Sequence, residues 1–176
     1  MINLLDKELT ILLTQLLKNC CDQQVIMVPY EKLRSPQVQA QFWVQGRTVI
    51  EIQNEIQKFK NEKAFFLGKC LENAEIRKGK IITNALPGYS WHQWGEAVDC
   101  YWLKDGKLTW ELDINDENNQ NGYEIYAHEA QKLGLESGFY WKNLIDPAHI
   151  QLQPLSSPRE IYSIAEINEI MREFFS

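Results

Sequence analysis

The sequence predicts an α+β fold in which a small antiparallel sheet is packed by helices. Three observations carry that expectation. Apolar residues recur at three- and four-residue spacing through much of the first 75 residues, the repeat of amphipathic helices. From Lys80 the period shortens, so that Ala97, Asp99 and Tyr101 share one face of a strand and Val98, Cys100 and Trp102 the other. Asp105-Gly106 then separates YWLK from KLTWEL, a strong signal for a two-residue hairpin turn. A chain of 176 residues with 44% hydrophobic content can bury one core of ordinary size, which predicts a single domain over 1–176.

Each element follows from its local chemistry. Leu5, Leu9, Leu12, Leu13, Leu16 and Leu17 recur at helical spacing. Val25 to Val28 read as a short strand that Pro29 stops. Ser35-Pro36 starts the next helix, because Ser caps free amides and Pro fits the first helical position; the helix runs over 36–45 to Gly46. Residues 49–75 give one or two further helices, with a break expected at Gly68. A β-hairpin is expected over 96–112, followed by a polar loop over 113–121. That loop alternates acids and amides, but Asn118 stands where a calcium loop needs glycine, so it is read as solvated. Tyr123, Tyr126, Ala127 and Ala130 form the buried stripe of a helix that Gly134 ends. HIQL gives a short strand, and a last helix covers 164–174.

The formal net charge of -6 and the absence of a basic stripe argue against a nucleic-acid partner. Cys20, Cys21, Cys70 and Cys100 show neither C-x-x-C spacing nor a secreted disulfide framework, and read as free thiols in a reducing compartment. Asp6, Lys7 and Glu8 interrupt the N-terminal apolar run, so no signal peptide is expected, and no segment is long enough for a membrane span. The expectation is a soluble, monomeric protein made in the cytoplasm.

The most informative stretch is YSWHQWGEAVDCYW, residues 89–102. It holds His92 and Asp99 with Gly95 between them, and a second acid and histidine follow at Asp146 and His149. Two imidazoles and a carboxylate are a common way to hold a catalytic zinc, leaving a fourth position for water. On a straight strand, residues seven apart point to opposite faces, so Gly95 has to supply a bend. Pro147 excludes a helix interior and favours a tight turn entering the strand that holds His149. Singly, such residues are more often structural: a hydrogen-bonded histidine, a turn-forming aspartate. The remaining histidine, His128, lies mid-helix without the second histidine of H-E-x-x-H and reads as solvated or packing. Of the aromatic residues around the motif, Trp94 and Trp141 are the candidates for walling a cleft.

SWHQWGEAVD, residues 90–99, resembles the S-x-H-x-x-G-x-A-x-D signature of the zinc D-alanyl-D-alanine carboxypeptidases and L-alanyl-D-glutamate endopeptidases, which cut peptidoglycan stem peptides and include phage endolysins. LGLESGFYWKNLIDPAHIQL resembles that family's second block, and LRSPQVQAQFWVQGRT its upstream block. Departures are a longer connection over 49–78, expected as a helical insertion, and Glu136, Ser137 and Gly138 where Trp-Gly-Gly is usual, with Ile150 in place of Phe. The resemblance implies a hedgehog/DD-peptidase-like fold, Zn2+ as cofactor, and His92, Asp99 and His149 as its ligands. It also implies Asp146 as general base, Arg34 as the cation facing the reacting carbonyl, and Ser90 close to the substrate. Gln39 matches a recurring glutamine of the upstream block, and Arg47 and Lys80 are candidates for a substrate carboxylate on charge alone.

These residues point to zinc-dependent hydrolysis of a peptide bond in peptidoglycan stem peptides or muropeptides, at L-alanyl-D-glutamate rather than at a D-alanyl-D-alanine end. Two other classes stand beside it. A zinc-stabilised binding module of the same fold would lack turnover, and a tryptophan-based wall-binding module would lack the metal.

Overall fold

Residues 5–111, 120–142 and 144–176 are described by a computed structural model, and among them lie six α-helices and five β-strands. In chain order these are α1 (Lys7–Asp22), β1 (Ile26–Glu31), α2 (Pro36–Val44), α3 (Val49–Asn61), α4 (Phe65–Glu72), β2 (Ala97–Lys104), β3 (Lys107–Thr109), α5 (Gly122–Lys132), β4 (Glu136–Ser137), β5 (His149–Gln151) and α6 (Ile164–Phe175). The fold is α+β with a small antiparallel sheet, as the sequence predicts. The hairpin's expected end at Leu112 and most of the polar loop, 113–119, lie outside the described residues. The chain forms two compact units, one from Met1–Leu33 with Gly95–Pro154, the other from Arg34–Trp94 with Leu155–Ser176.

The first unit holds the whole sheet, ordered β1-β2-β5-β4 with β3 paired to β2. The period of two in β2 works as expected: Val98, Cys100 and Trp102 enter a core with Leu9, Leu13 and Leu16 of α1 and Tyr123, Tyr126 and Ala130 of α5. Asp6 caps α1 by accepting from the Glu8 amide at 2.7 Å. Asp105 (φ 50) and Gly106 (φ 71) both adopt the left-handed conformation that a tight hairpin turn demands. Pro29 does not stop β1, which runs on to Glu31. The strand lies at one end of the sheet order and its register shifts between Pro29 and Glu31, so a residue without an N–H fits there.

In the second unit Ser35 caps α2 by accepting from the Val38 amide at 3.2 Å, with Pro36 in the first helical turn. The break expected at Gly68 falls instead at Lys63 (φ 59), and Gly68 lies inside α4. A Cβ on Gly68 would meet the Phe59 Cβ at 3.5 Å, an ordinary van der Waals contact, so the space between α4 and α3 does not itself demand glycine there. Ile52, Ile56, Phe59, Leu67 and Leu71 pack with Ile167 and Met171 of α6. Ala64 offers α4 no side-chain cap, and Asn168 of α6 replaces it: its Oδ1 accepts from the Phe66 and Leu67 amides at 2.9 and 3.2 Å.

α1 and α5 are also tied by a buried acid. Glu129 accepts from Lys132 Nζ at 2.7 Å, Gln23 Nε2 at 2.9 Å and Asn19 Nδ2 at 3.2 Å. These hydrogen bonds, that of Lys132 foremost, hold its carboxyl below the usual carboxylate range. A depressed folded-state pKa gives stability that is present above the unfolded value and lost as pH falls through the folded one. Urea unfolding of Glu129→Gln between pH 3 and 6 is therefore expected to show a flatter loss of stability below about pH 4.5 than the parent. Parallel curves for the two proteins would contradict this.

Candidate metal centre

Strands β2 and β5 pair so that Asp99 stands opposite His149, which puts both side chains on one face of the sheet. His149 Nδ1 lies 2.9 Å from Asp99 Oδ1, and both residues are buried. The turn through Pro147 delivers His149 to the start of β5, its amide donating to the Asp146 carbonyl at 3.1 Å. The Asp146 amide in turn donates to the Gly138 carbonyl at 2.9 Å. A Cβ on Gly138 would sit 2.3 Å from the Asp146 carbonyl oxygen, so the backbone approach that places Asp146 requires glycine there.

The second ring nitrogen of His149 fixes its chemistry. Gln151 Nε2 donates to the Gln153 carbonyl at 2.6 Å, which leaves Gln151 Oε1 facing His149 Nε2 at 3.1 Å. An oxygen there needs a proton on Nε2. Nδ1 then meets a carboxylate oxygen at 2.9 Å, an arrangement that a proton or a cation between them satisfies. Burial pushes the His149 pKa down, but the hydrogen bond and charge of Asp99 outweigh it, and the net shift is upward. Tyr30 donates to the other Asp99 oxygen, Oδ2, at 3.5 Å. The Trp141 ring lies 5.0 Å from the imidazole of His149, tilted by 44°.

His92 sits on a short 3-10 turn over Trp91–Trp94, which Ser90 begins: Ser90 Oγ accepts from the His92 amide at 3.4 Å and its carbonyl from the Gln93 amide at 3.0 Å. Gly95 (φ 73) provides the bend that the spacing to Asp99 requires. His92, Asp99 and His149 each offer one ligand atom, and these atoms lie within 4.8 Å of one another. Zinc bonds to such donors are roughly 2.0–2.2 Å, so a tetrahedral site needs ligand atoms about 3.4 Å apart, and the 2.9 Å that separates His149 Nδ1 from Asp99 Oδ1 would open slightly to admit the ion. Two neutral nitrogens and one anionic oxygen match the donor set of a zinc centre.

Arg34 precedes α2, and its amide donates to the His92 carbonyl at 3.1 Å. Its guanidinium donates to Gln39 Oε1 at 2.9 Å and lies over the Phe42 ring. Gln39 is fully buried, and its amide is engaged on both ends: Oε1 also accepts from Gln93 Nε2 at 3.1 Å, and Nε2 donates to the Ala85 carbonyl at 2.7 Å and Thr83 Oγ1 at 3.4 Å. Gln93 Oε1 accepts from the Gly88 and Ser90 amides at 2.9 and 3.3 Å. Arg47 donates to the Trp43 carbonyl and, at 2.9 Å, to the Thr83 carbonyl. Trp94 stacks on Tyr162 at 4.9 Å, with its indole N–H donated to the Gly88 carbonyl at 3.1 Å. Exposed His128 lies on α5, as expected of a solvated residue. Gln151 and Gln93 escaped the sequence reading. Gln151 was findable, since two residues along a strand it shares the face of His149; nothing marked Gln93, whose role depends on the fold of its turn.

A buried histidine and aspartate on neighbouring antiparallel strands, with a second histidine at ligand distance, define an α+β protein that carries a candidate metal centre. The chain belongs to the VanY family, D-alanyl-D-alanine carboxypeptidase, whose profile matches residues 2–151. It is 33% identical over 87 residues to the peptidoglycan L-alanyl-D-glutamate endopeptidase CwlK of Bacillus subtilis (strain 168), a match covering 47% of this chain and 51% of that protein. The aligned part thus spans about half the length of that relative. Among solved structures, the L-Ala D-Glu endopeptidase ChiX of Serratia marcescens is similar over 80% of this chain and 77% of its own, at 20% identity and a TM-score of 0.40. A variant of the vancomycin-resistance D,D-pentapeptidase VanY from a VanB-type cassette, in complex with Zn(II), is similar over 98% of this chain and 84% of its own, at 16% identity and a TM-score of 0.45.

The buried glutamine pair gives a direct test of how the Arg34 segment is held. Gln39→Leu removes the hydrogen bonds that Gln39 makes with the Ala85 carbonyl, the Gln93 amide and the Arg34 guanidinium. Chemical denaturation is expected to show a loss of about 1–3 kcal/mol. A change within about 0.5 kcal/mol, the size of an ordinary surface substitution, would contradict it.

Proposed function

We propose that this chain is a zinc-dependent peptidase that hydrolyses the L-alanyl-D-glutamate bond of peptidoglycan stem peptides. The observation that carries the proposal is the buried Asp99–His149 pair with a ligand atom of His92 close by, in a chain of the VanY family. The choice of bond is supported by the relative CwlK, itself an L-alanyl-D-glutamate endopeptidase. The family's own description supports a second reading, cleavage at a D-alanyl-D-alanine end.

In this proposal His92, Asp99 and His149 hold the zinc. When bound, zinc supplies a Lewis acid and brings the pKa of a coordinated water to about 7. Asp146 is the general base: it accepts the proton of the attacking water and returns it to the leaving amine nitrogen. Both its backbone groups are tied, to Gly138 and His149, and its charge reaches the His149 imidazole and the Tyr30 phenol. Arg34 faces the negative charge that develops on the carbonyl oxygen in the transition state. Gln39 acts through Arg34, and Ser90 through the turn that carries His92. Trp141 walls the site beside His149, whereas Arg47 and Trp94 make internal contacts that organise their segment. No helix among the described residues is long and apolar enough to cross a membrane.

Two substitutions separate binding from chemistry. Asp146→Ala is expected to keep one zinc per chain and to lose hydrolysis by roughly 10²–10⁴-fold, the usual worth of a general base. His92→Ala is expected to lose both. Metal analysis after dialysis and the release of new amino groups from purified peptidoglycan measure the two effects. Full activity in Asp146→Ala would remove the base from the account, and mass spectrometry of digested muropeptides identifies the bond.

A further inference from the structure

The sheet face that carries Asp99 and His149 continues into a cluster of aromatic rings. Tyr101 follows Asp99 by two residues along β2, so it shares that face about 6.8 Å farther on. Tyr30 comes from β1, where Val28 pairs with Tyr101, and Trp110 follows the end of β3. The ring centroids of Tyr30 and Tyr101 are 4.0 Å apart, those of Tyr101 and Trp110 3.8 Å, and those of Tyr30 and Trp110 5.0 Å. The opposite face of β2 is spent on the core through Val98, Cys100 and Trp102. The rings pack on one another, Tyr30 and Tyr101 inclined by 32° and Trp110 standing at 88° and 68° to them, yet the cluster stays partly open, with Tyr30 41% and Trp110 51% exposed. The Tyr30 hydroxyl, 3.5 Å from Asp99 Oδ2, joins the rings to the candidate metal centre.

We propose that Tyr30, Tyr101 and Trp110 form a subsite for the amino-sugar ring that bears the stem peptide. The proposal rests on the peptidase reading above and adds a recognition element to it. Aromatic rings offer broad apolar faces with polar edges, a match for a pyranose, which has C–H groups on its faces and hydroxyls around its rim. The residues flanking the proposed bond suit the platform poorly. L-Alanine is too small to cover the exposed indole of Trp110, and the carboxylate of D-glutamate is repelled by the negative ring faces. Distance also selects the sugar. L-Alanine is joined directly to the lactyl group of the sugar, so the ring lies one residue from an L-alanyl-D-glutamate bond, whereas a D-alanyl-D-alanine bond is several residues away. An extended residue spans about 3.3–3.6 Å, so one residue and the lactyl group bridge the separation between Asp99 and Tyr101.

The test compares N-acetylmuramyl-L-alanine with N-acetyl-L-alanine as ligands of the zinc-loaded protein by titration calorimetry, which needs no turnover. The sugar-bearing ligand is expected to bind about tenfold more tightly, Trp110→Ala to abolish that preference, and Trp110→Phe to restore most of it. In parallel, kcat/KM is measured on a muropeptide and on the same peptide without its sugar. Trp110→Ala is expected to lower the first about tenfold through KM and leave the second within about twofold. Equal binding of the two ligands to the parent protein, or equal losses on both substrates in Trp110→Ala, overturns the subsite. Sugar preference in binding without hydrolysis of either substrate would uphold the subsite and sink the peptidase reading instead.

Discussion

Asp99 faces His149 because β2 and β5 pair antiparallel in one register, and a slip of one residue would turn the imidazole to the opposite face of the sheet. The register is held from the covered side. Val98 and Cys100 alternate with Asp99 and are buried against α1 and α5, and Ile150 beside His149 is buried in the same core. Moving either polar residue would therefore expose apolar surface, at a cost of about 25 cal/mol per Å². Hydrophobic packing on one face thus fixes a polar pair on the other. The glycine at position 138 belongs to the same constraint, since it lets the backbone of Asp146, in the turn that feeds β5, lie directly against its own.

Around this pair the polar groups are chained so that orientation is specified. Gln153 orients Gln151, Gln151 fixes which nitrogen of His149 carries its proton, and the other nitrogen is thereby turned to Asp99. Tyr30 approaches the second oxygen of that carboxylate. Metal-binding histidines commonly donate their remaining N–H in this way, because it sets the ring orientation and raises the basicity of the ligating nitrogen. In the other unit, the amides of Gln39 and Gln93 play a comparable part: buried and hydrogen-bonded to each other, they connect Arg34 to the residues that precede His92. A buried amide is stable only when its donors and acceptors are met, so such a pair leaves few alternative positions for the segments it joins.

Much of the fold was legible because it depends on short-range chemistry. The Asp105-Gly106 turn, the Ser35-Pro36 helix start and the stripe of Tyr123, Tyr126, Ala127 and Ala130 all follow from residues within a few positions of one another. The features misread depend on partners distant in sequence. Pro29 sits inside a strand because that strand has a neighbour on one side of the sheet order. Asn168 capping α4 from about a hundred residues away could not be read locally. At the site, the resemblance of the motifs pointed to His92, Asp99 and His149, and their spacing to the need for a bend at Gly95. It could not foresee that Gln39 is sealed in the interior with its amide engaged at both ends.

The central claim is that two imidazole nitrogens and one carboxylate oxygen share a single divalent ion. X-ray absorption at the zinc edge, on protein loaded with one equivalent of metal, tests it most directly. The account predicts nitrogen and oxygen neighbours at about 2.0–2.1 Å, with the outer-shell scattering of two imidazoles and no sulfur. A sulfur neighbour at about 2.3 Å, or an unchanged spectrum after His149→Ala, would contradict it.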